Sequence, residues 1–151
     1  MRETIIIGSD HAGFKLKESI KKYLDELGCA YEDLGVFDAK PCDYPKIAFD
    51  VATKITQTNG HGILLCGTGI GEAIVANKVR GIRAANCFDE HTAQKSREHN
   101  DSNILCLGAR ILSDEEAKKI IKVWLETDFS NEQRHRQRVK QIIDLEAKTM
   151  K

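Results

Sequence analysis

Neither sign of charge predominates in this sequence: Lys and Arg together number 23, and Asp and Glu also number 23. A balanced chain offers no electrostatic footprint for nucleic acid or for a membrane surface. No apolar stretch approaches the roughly 20 residues that a membrane-spanning helix needs. The opening MRETIIIGSD holds an apolar run too short for a signal peptide, with no cleavage-like segment. Cysteine occurs five times, at 29, 42, 66, 87 and 106, yet no two form a CxxC pair and the number is odd. That pattern excludes a disulfide framework and predicts reduced thiols in a cytoplasmic protein, four of them small apolar fillers. Internal repeats and low-complexity segments are also missing. Both prolines fall within 35–46, which reads as a surface loop. With 151 residues, the chain is expected to form a single domain, 1–151.

What is present is a regular alternation of apolar runs and helical patterns. TIIIGS (4–9) is continuous and β-rich, as in a strand buried on both faces. In the segment after it, Leu16, Ile20, Tyr23, Leu24 and Leu27 recur at helical spacing up to Gly28. AYEDLG (30–35) reads as a short strand, and Ile47, Ala48, Val51, Ala52 and Ile55 mark a second helix. GILLC (62–66) is the next strand, with a helix over GEAIVANKV (71–79). IRAANC (82–87) and NILCLG (103–108) supply two more strands, separated by a helix over HTAQKSREHN (91–100). SDEE (113–116) is a capping-box signature opening a fifth helix. A charged helix over about 131–148 has only Val139, Ile142, Ile143 and Leu145 as apolar positions, so it is expected to pack against something beyond its own core. Five strand–helix alternations predict an α/β/α sandwich around a parallel sheet.

Ligands of such sheets bind at the carboxyl ends of the strands, which selects SDHAG (9–13), CGTGIGE (66–72), FDEH (88–91) and GAR (108–110). A dinucleotide fingerprint needs glycines at n, n+2 and n+5; from Gly67 the third position is Glu72, and from Gly69 it is Ile74. A P-loop fails too, because Phe14 stands where lysine is required after Gly8 and Gly13. CGTGIG remains as a tight turn whose amides can converge on an anion or oxyanion, or simply join strand to helix. Cys66 at the strand end could be a base or nucleophile, or a buried thiol. Glu72 lies in the first helical turn, where the dipole favours a carboxylate. Asp10 and His11 could orient and protonate substrate hydroxyls, although a turn role for Asp10 is as good a reading. His99 could be an acid–base group, or a helix-terminal histidine. Arg134 and Arg138, four residues apart on one helix face, could join Arg110 to clamp a phosphate, or form a solvated charged face. His61, His91 and His135 read as surface or packing residues. No His and Cys arrangement has metal spacing.

GSDHAG (8–13), CGTGIG (66–71), ANKVRGIRA (76–84), HND (99–101), GAR (108–110) and RHRQR (134–138) together resemble ribose-5-phosphate isomerase type B. The wider group includes galactose-6-phosphate and allose-6-phosphate isomerases. The likeness runs in order along essentially the whole chain. It implies a five-stranded Rossmann-like parallel sheet and a homodimer or homotetramer with active sites shared between subunits. The expected reaction interconverts ribose 5-phosphate and ribulose 5-phosphate through a cis-enediolate, as in the pentose phosphate pathway, with no metal and no cofactor. By the same resemblance Cys66 is the proton-shuttling base, with Thr68 and Gly67, Gly69, Ile70 and Gly71 forming the loop around the enediolate. His99 is the ring-opening group, and Asp10 assists at the ring oxygen or hydroxyls. His11, Arg110, Arg134 and Arg138 contact the phosphate, Asn100 the substrate, and Tyr44 lines the pocket. Glu72 departs from the thiol-using pattern and matches the base of a branch that lacks the thiol. A six-carbon sugar phosphate is the alternative substrate, and a non-catalytic sugar-phosphate-binding module the alternative function. The last helix is expected to reach a neighbouring subunit, with Arg134 and His99 coming from different subunits.

Overall fold

A computed structural model describes residues 3–150. Strands and helices alternate as β1 (Ile5–Ser9), α1 (Phe14–Glu26), β2 (Tyr31–Asp33), α2 (Tyr44–Thr58), β3 (His61–Cys66), α3 (Ile70–Ala76), β4 (Ala84–Asn86), α4 (Glu90–Asn100), β5 (Ile104–Gly108), α5 (Asp114–Glu126) and α6 (Gln133–Thr149). All strand pairings are parallel, in the order β2-β1-β3-β5-β4.

Alternation along each strand explains why both faces are apolar. Ile5, Ile7, Ile63, Leu65, Leu105 and Leu107 pack on one face with Ile20 and Leu24 of α1, Ala93 of α4, and Ile120, Ile121 and Trp124 of α5. Ile6, Leu64, Ile104 and Cys106 pack on the other with Ala48, Val51, Ala52 and Ile55 of α2 and Ala73 and Ala76 of α3. The expected sandwich is thus observed.

Local signals set most boundaries. Ser113 and Glu116 form the anticipated capping box ahead of α5. Asp89 and Thr92 form another ahead of α4, which begins at Glu90 rather than 91; their D-x-x-T order does not match the S/T-x-x-E signature. The 35–46 segment is shorter as a loop than expected, because α2 starts at Tyr44 with Pro45 in its first turn. Proline is tolerated there because that amide has no intrahelical partner. The helix read over 71–79 covers only Ile70–Ala76.

One buried cation ties the 33–36 segment down. Lys17 is fully buried; its Nζ donates to Asp33 Oδ1 at 2.7 Å and also to the Val36 carbonyl. Burial pushes the Asp33 carboxyl up, but hydrogen bonds from Lys17 and Lys21 more than offset this and hold it below its ordinary range. The Ser9 amide donates to Gly35 O at 2.7 Å and the Val36 amide to Ser9 O at 2.8 Å, so this segment lies beside the end of β1.

Candidate active site

The sheet changes direction between β1 and β3, because β2 lies on one side of β1 and β3 on the other. A crevice opens at the carboxyl ends flanking such a switch point. The register keeps those ends level: Ser9 pairs with Leu65 and Cys66 with Gly108. Asp10, Gly67 and Ala109 therefore leave the sheet side by side.

Asp10 is 6% exposed, and its Oδ1 accepts the Gly13 amide at 3.0 Å, closing the turn into α1. The turn reading of Asp10 is correct, and it leaves the other carboxylate oxygen for the crevice. His11 is half-buried; its Nδ1 accepts the Cys42 amide at 3.2 Å, which leaves Nε2 to carry the proton in the neutral ring. Cys42 is therefore not a core filler like Cys29, Cys87 and Cys106 but part of the loop wall, with Sγ 3.9 Å from the same nitrogen. Tyr44, the first residue of α2, packs across Gly71, where an added Cβ would lie 2.4 Å from the tyrosine Cζ.

Cys66 ends β3, 4% exposed, and its sulfur accepts the Gly69 amide at 3.0 Å. The Ile70 amide donates to Thr68 Oγ1 at 3.2 Å, while the Ile70 side chain remains exposed. Gly69 has φ +83°, a left-handed conformation that favours glycine. Arg110 follows β5; its amide donates to Gly67 O at 2.9 Å, and its Nη1 would lie 3.3 Å from a Cβ placed on Gly67. The guanidinium thus lies against the glycine loop.

Glu72 corrects one expectation. Its carboxylate is not stabilised by the first helical turn: the residue is 0% exposed and neither oxygen has a hydrogen-bond partner. The Cys66 thiol and the Asp10 amide approach without closing a bond of good geometry. Burial, and then the nearby Asp10 charge, push this carboxyl well above its usual range. Burial also raises the Cys66 thiol, and the Glu72 charge adds to the rise, while the Gly69 amide opposes it. Both groups thus hold their protons more tightly than the free side chains do.

His99, Asn100, Arg134 and Arg138 form a second group, at the other end of the sheet. α4 leaves the carboxyl end of β4 and its 11 residues rise about 16 Å back towards the amino end of β5. There the Asn100 carbonyl accepts Arg83 Nε at 3.0 Å, just ahead of β4. α6 packs on α4. His135 of α6 lies against His99 with ring centroids 4.2 Å apart and planes inclined by 32°. His99 and the helix that carries Arg134 and Arg138 are thus neighbours within one chain. Arg134 donates to exposed Glu132 at 3.0 Å, and Arg138 is exposed.

Sequence reasoning missed Cys42, which had no motif of its own, and Asn86, whose Oδ1 would stand 2.5 Å from a Cβ on Gly69. His135, read as a surface or packing residue, is buried, in line with the packing alternative. Among the described residues no three His, Cys, Asp or Glu side chains are grouped so as to hold a metal ion, and no helix is long and apolar enough to cross a membrane.

Comparison with known proteins adds an independent line. Ribose-5-phosphate isomerase B of Escherichia coli is 43% identical over 144 residues, covering 94% of this chain and 95% of that protein. D-erythrulose-4-phosphate isomerase of Pectobacterium atrosepticum is 44% identical over 129 residues, covering 83% of this chain and 84% of the relative. The structure of ribose-5-phosphate isomerase B from Mycoplasma genitalium with bound ribulose-5-phosphate superposes with a TM-score of 0.90 at 41% identity, covering 97% of each chain. The Ribose/Galactose Isomerase family profile matches residues 5–142, a span that runs from β1 through the crevice to α6. With profile, relatives and parallel sheet in agreement, the chain belongs to the ribose/galactose isomerase family.

Proposed function

We propose that the protein is an aldose–ketose isomerase that interconverts D-ribose 5-phosphate and D-ribulose 5-phosphate in the cytoplasm, at sites shared between two protomers of a homodimer. The observation that carries this reading is the buried Cys66–Glu72 pair at the mouth of a crevice flanked by Asp10, His11 and Arg110. A sugar-phosphate-binding module needs the cations but has no use for a buried thiol beside an unpartnered carboxyl. Perturbed, desolvated groups of this kind mark acid–base sites.

Isomerisation moves one proton from C2 to C1 and one from O2 to O1. When the Cys66–Glu72 pair carries a single negative charge, the charge belongs on sulfur. The thiolate has the Gly69 amide at 3.0 Å, whereas the carboxylate oxygens have no donor. Cys66 thus takes the C2 proton and returns it to C1, while Glu72 holds the proton the thiol gave up. The Thr68 hydroxyl and the Gly71 amide are left to face the enediolate oxygens, since the Gly69 and Ile70 amides are held by Cys66 and Thr68. Asp10 and Tyr44 hold the sugar, and Arg110 with His11 receives the phosphate.

The remaining functions come from the second protomer. His99, as ring-opening acid–base group, lies about a strand length from Cys66 within one chain, too far for both to reach one pentose. A partner would bring His99, Asn100, Arg134 and Arg138 to the crevice. Ile70, Ile74, Phe88 and Ile111, between 54% and 64% exposed, supply an apolar surface for that contact. The five unbridged cysteines fit a reducing compartment.

Incubation with ribose 5-phosphate in D₂O should form ribulose 5-phosphate with deuterium entering at the C1–C2 unit. Cys66→Ala should abolish this exchange and Glu72→Gln should weaken it by about 10- to 100-fold. Near-native exchange in Cys66→Ala with none in Glu72→Gln would make Glu72 the base. Faster turnover of allose 6-phosphate, galactose 6-phosphate or D-erythrulose 4-phosphate would overturn the substrate assignment, and no exchange on any of them would leave only a binding module.

A further inference from the structure

His135 of α6 is 3% exposed, although it lies on a helix whose neighbouring positions are solvated. Two contacts hold it, and a third bond ties one of them to α4. Its ring stacks on His99 at 4.2 Å between centroids. Its Nδ1 is 2.6 Å from Ser130 Oγ, and the Ser130 amide in turn donates to the Glu98 carbonyl at 3.1 Å. The imidazole is thus fixed from its own element, from the 127–132 connection and from the end of α4. Burial, followed by the His99 and Arg134 charges, holds His135 below the ordinary imidazole range, which favours its uncharged ring.

We propose that His135 is a positioning residue for ring opening: its stacked imidazole fixes the ring plane of His99, so that a His99 nitrogen meets the sugar ring oxygen. A histidine ending a helix has two free side-chain torsions. A stack anchored through Ser130 to the backbone next to His99 removes that freedom before substrate binds. Misplacement by about 1 Å of an acid–base group can cost on the order of 100-fold in rate. This inference rests on the reading of His99 as the ring-opening group.

Two substrates separate the roles. Ribose 5-phosphate closes through its free O4, whereas ribulose 5-phosphate has its C5 oxygen esterified and stays open. Turnover of the first needs ring opening; deuterium wash-in at C1 of the second needs only the enediolate step. His135→Ala should lower kcat on ribose 5-phosphate by about 10-fold or more while wash-in changes less than about 3-fold. His135→Phe, which restores a flat ring without the Ser130 bond, should recover most of the ribose 5-phosphate rate. The ring-current shift of the His99 Cε1 proton should collapse in His135→Ala and persist in His135→Phe. Equal loss on both substrates in His135→Ala, or a folded His135→Phe with an intact ring-current shift and no recovered turnover, would overturn the proposal. If His135→Ala does not fold, recovery or loss in His135→Phe decides alone. A failure of the underlying reading appears separately, as equal loss on both substrates in His99→Asn.

Discussion

Glu72 is a carboxyl group that folding places where it cannot be ionised cheaply. It is fully buried with both oxygens unpartnered, and burial raises its proton affinity in the native state. Between the unfolded carboxyl value of about 4.3 and the raised folded value, the native chain holds a proton that the unfolded chain has lost. Stability therefore falls as pH rises through that window, by up to about 1.4 kcal/mol per pH unit. Glu72→Gln removes the titration but keeps the shape. The stability difference between variant and wild type should be constant below about pH 4 and shift in the variant's favour as pH rises. Urea midpoints taken from pH 4 to 8 at fixed protein concentration read this directly, and parallel curves would refute it. In the proposed mechanism the instability is the other side of catalytic use, since a carboxyl with raised proton affinity can hold the proton that Cys66 releases.

At the scale of elements, the loop between β3 and α3 is shaped by two glycines for two different reasons. Gly69 has φ +83°, and a Cβ there would meet Asn86 Oδ1 at 2.5 Å and the Leu107 carbonyl carbon at 3.0 Å. A left-handed residue and a collision with backbone combine, so Gly69→Ala should cost about 2–4 kcal/mol in urea unfolding. The three atoms nearest to a Cβ at Gly71 all belong to the Tyr44 side chain, with Cζ at 2.4 Å. A ring can swing where a backbone cannot. Gly71→Ala should therefore unfold within about 1 kcal/mol of wild type yet raise KM, because Tyr44 is pushed from the crevice. Similar losses of stability in both variants would contradict this division. The opposite wall depends on Lys17, whose bonds to Asp33 and the Val36 carbonyl hold the segment leading to Cys42 and Tyr44.

In the whole molecule, the carboxyl-end crevice and the end of α4 that carries His99 lie at opposite ends of the sheet, and the proposed function joins them from two chains. Closed twofold assembly would create two such sites per dimer. Cys66→Ala and His99→Asn chains, each defective alone, should complement when mixed and re-associated. Half of the dimers would then be mixed and half of their sites intact, giving about a quarter of wild-type activity. Mixing His99→Asn with Arg134→Ala should restore nothing, because the proposed site draws both residues from one chain. Verified mixed dimers of the first pair without recovered activity would refute the shared site.

The sequence by itself determined the layered fold, because strand burial on both faces and 3.6-residue helical periodicity are local patterns. Its Ser113–Glu116 cap sets the start of α5, and the post-strand rule by itself selects Asp10, His11, Cys66 and Arg110. The pairing of distant segments was not readable. Only the tertiary structure buried Glu72 without a donor, brought Cys42 to His11, locked Lys17 onto Asp33 and stacked His135 on His99. It also set His99 and α6 side by side, at the far end of the sheet from Cys66. Proton affinity and convergence depend on what surrounds a group in space, and a linear pattern fixes which face of an element a residue occupies but not what packs against that face.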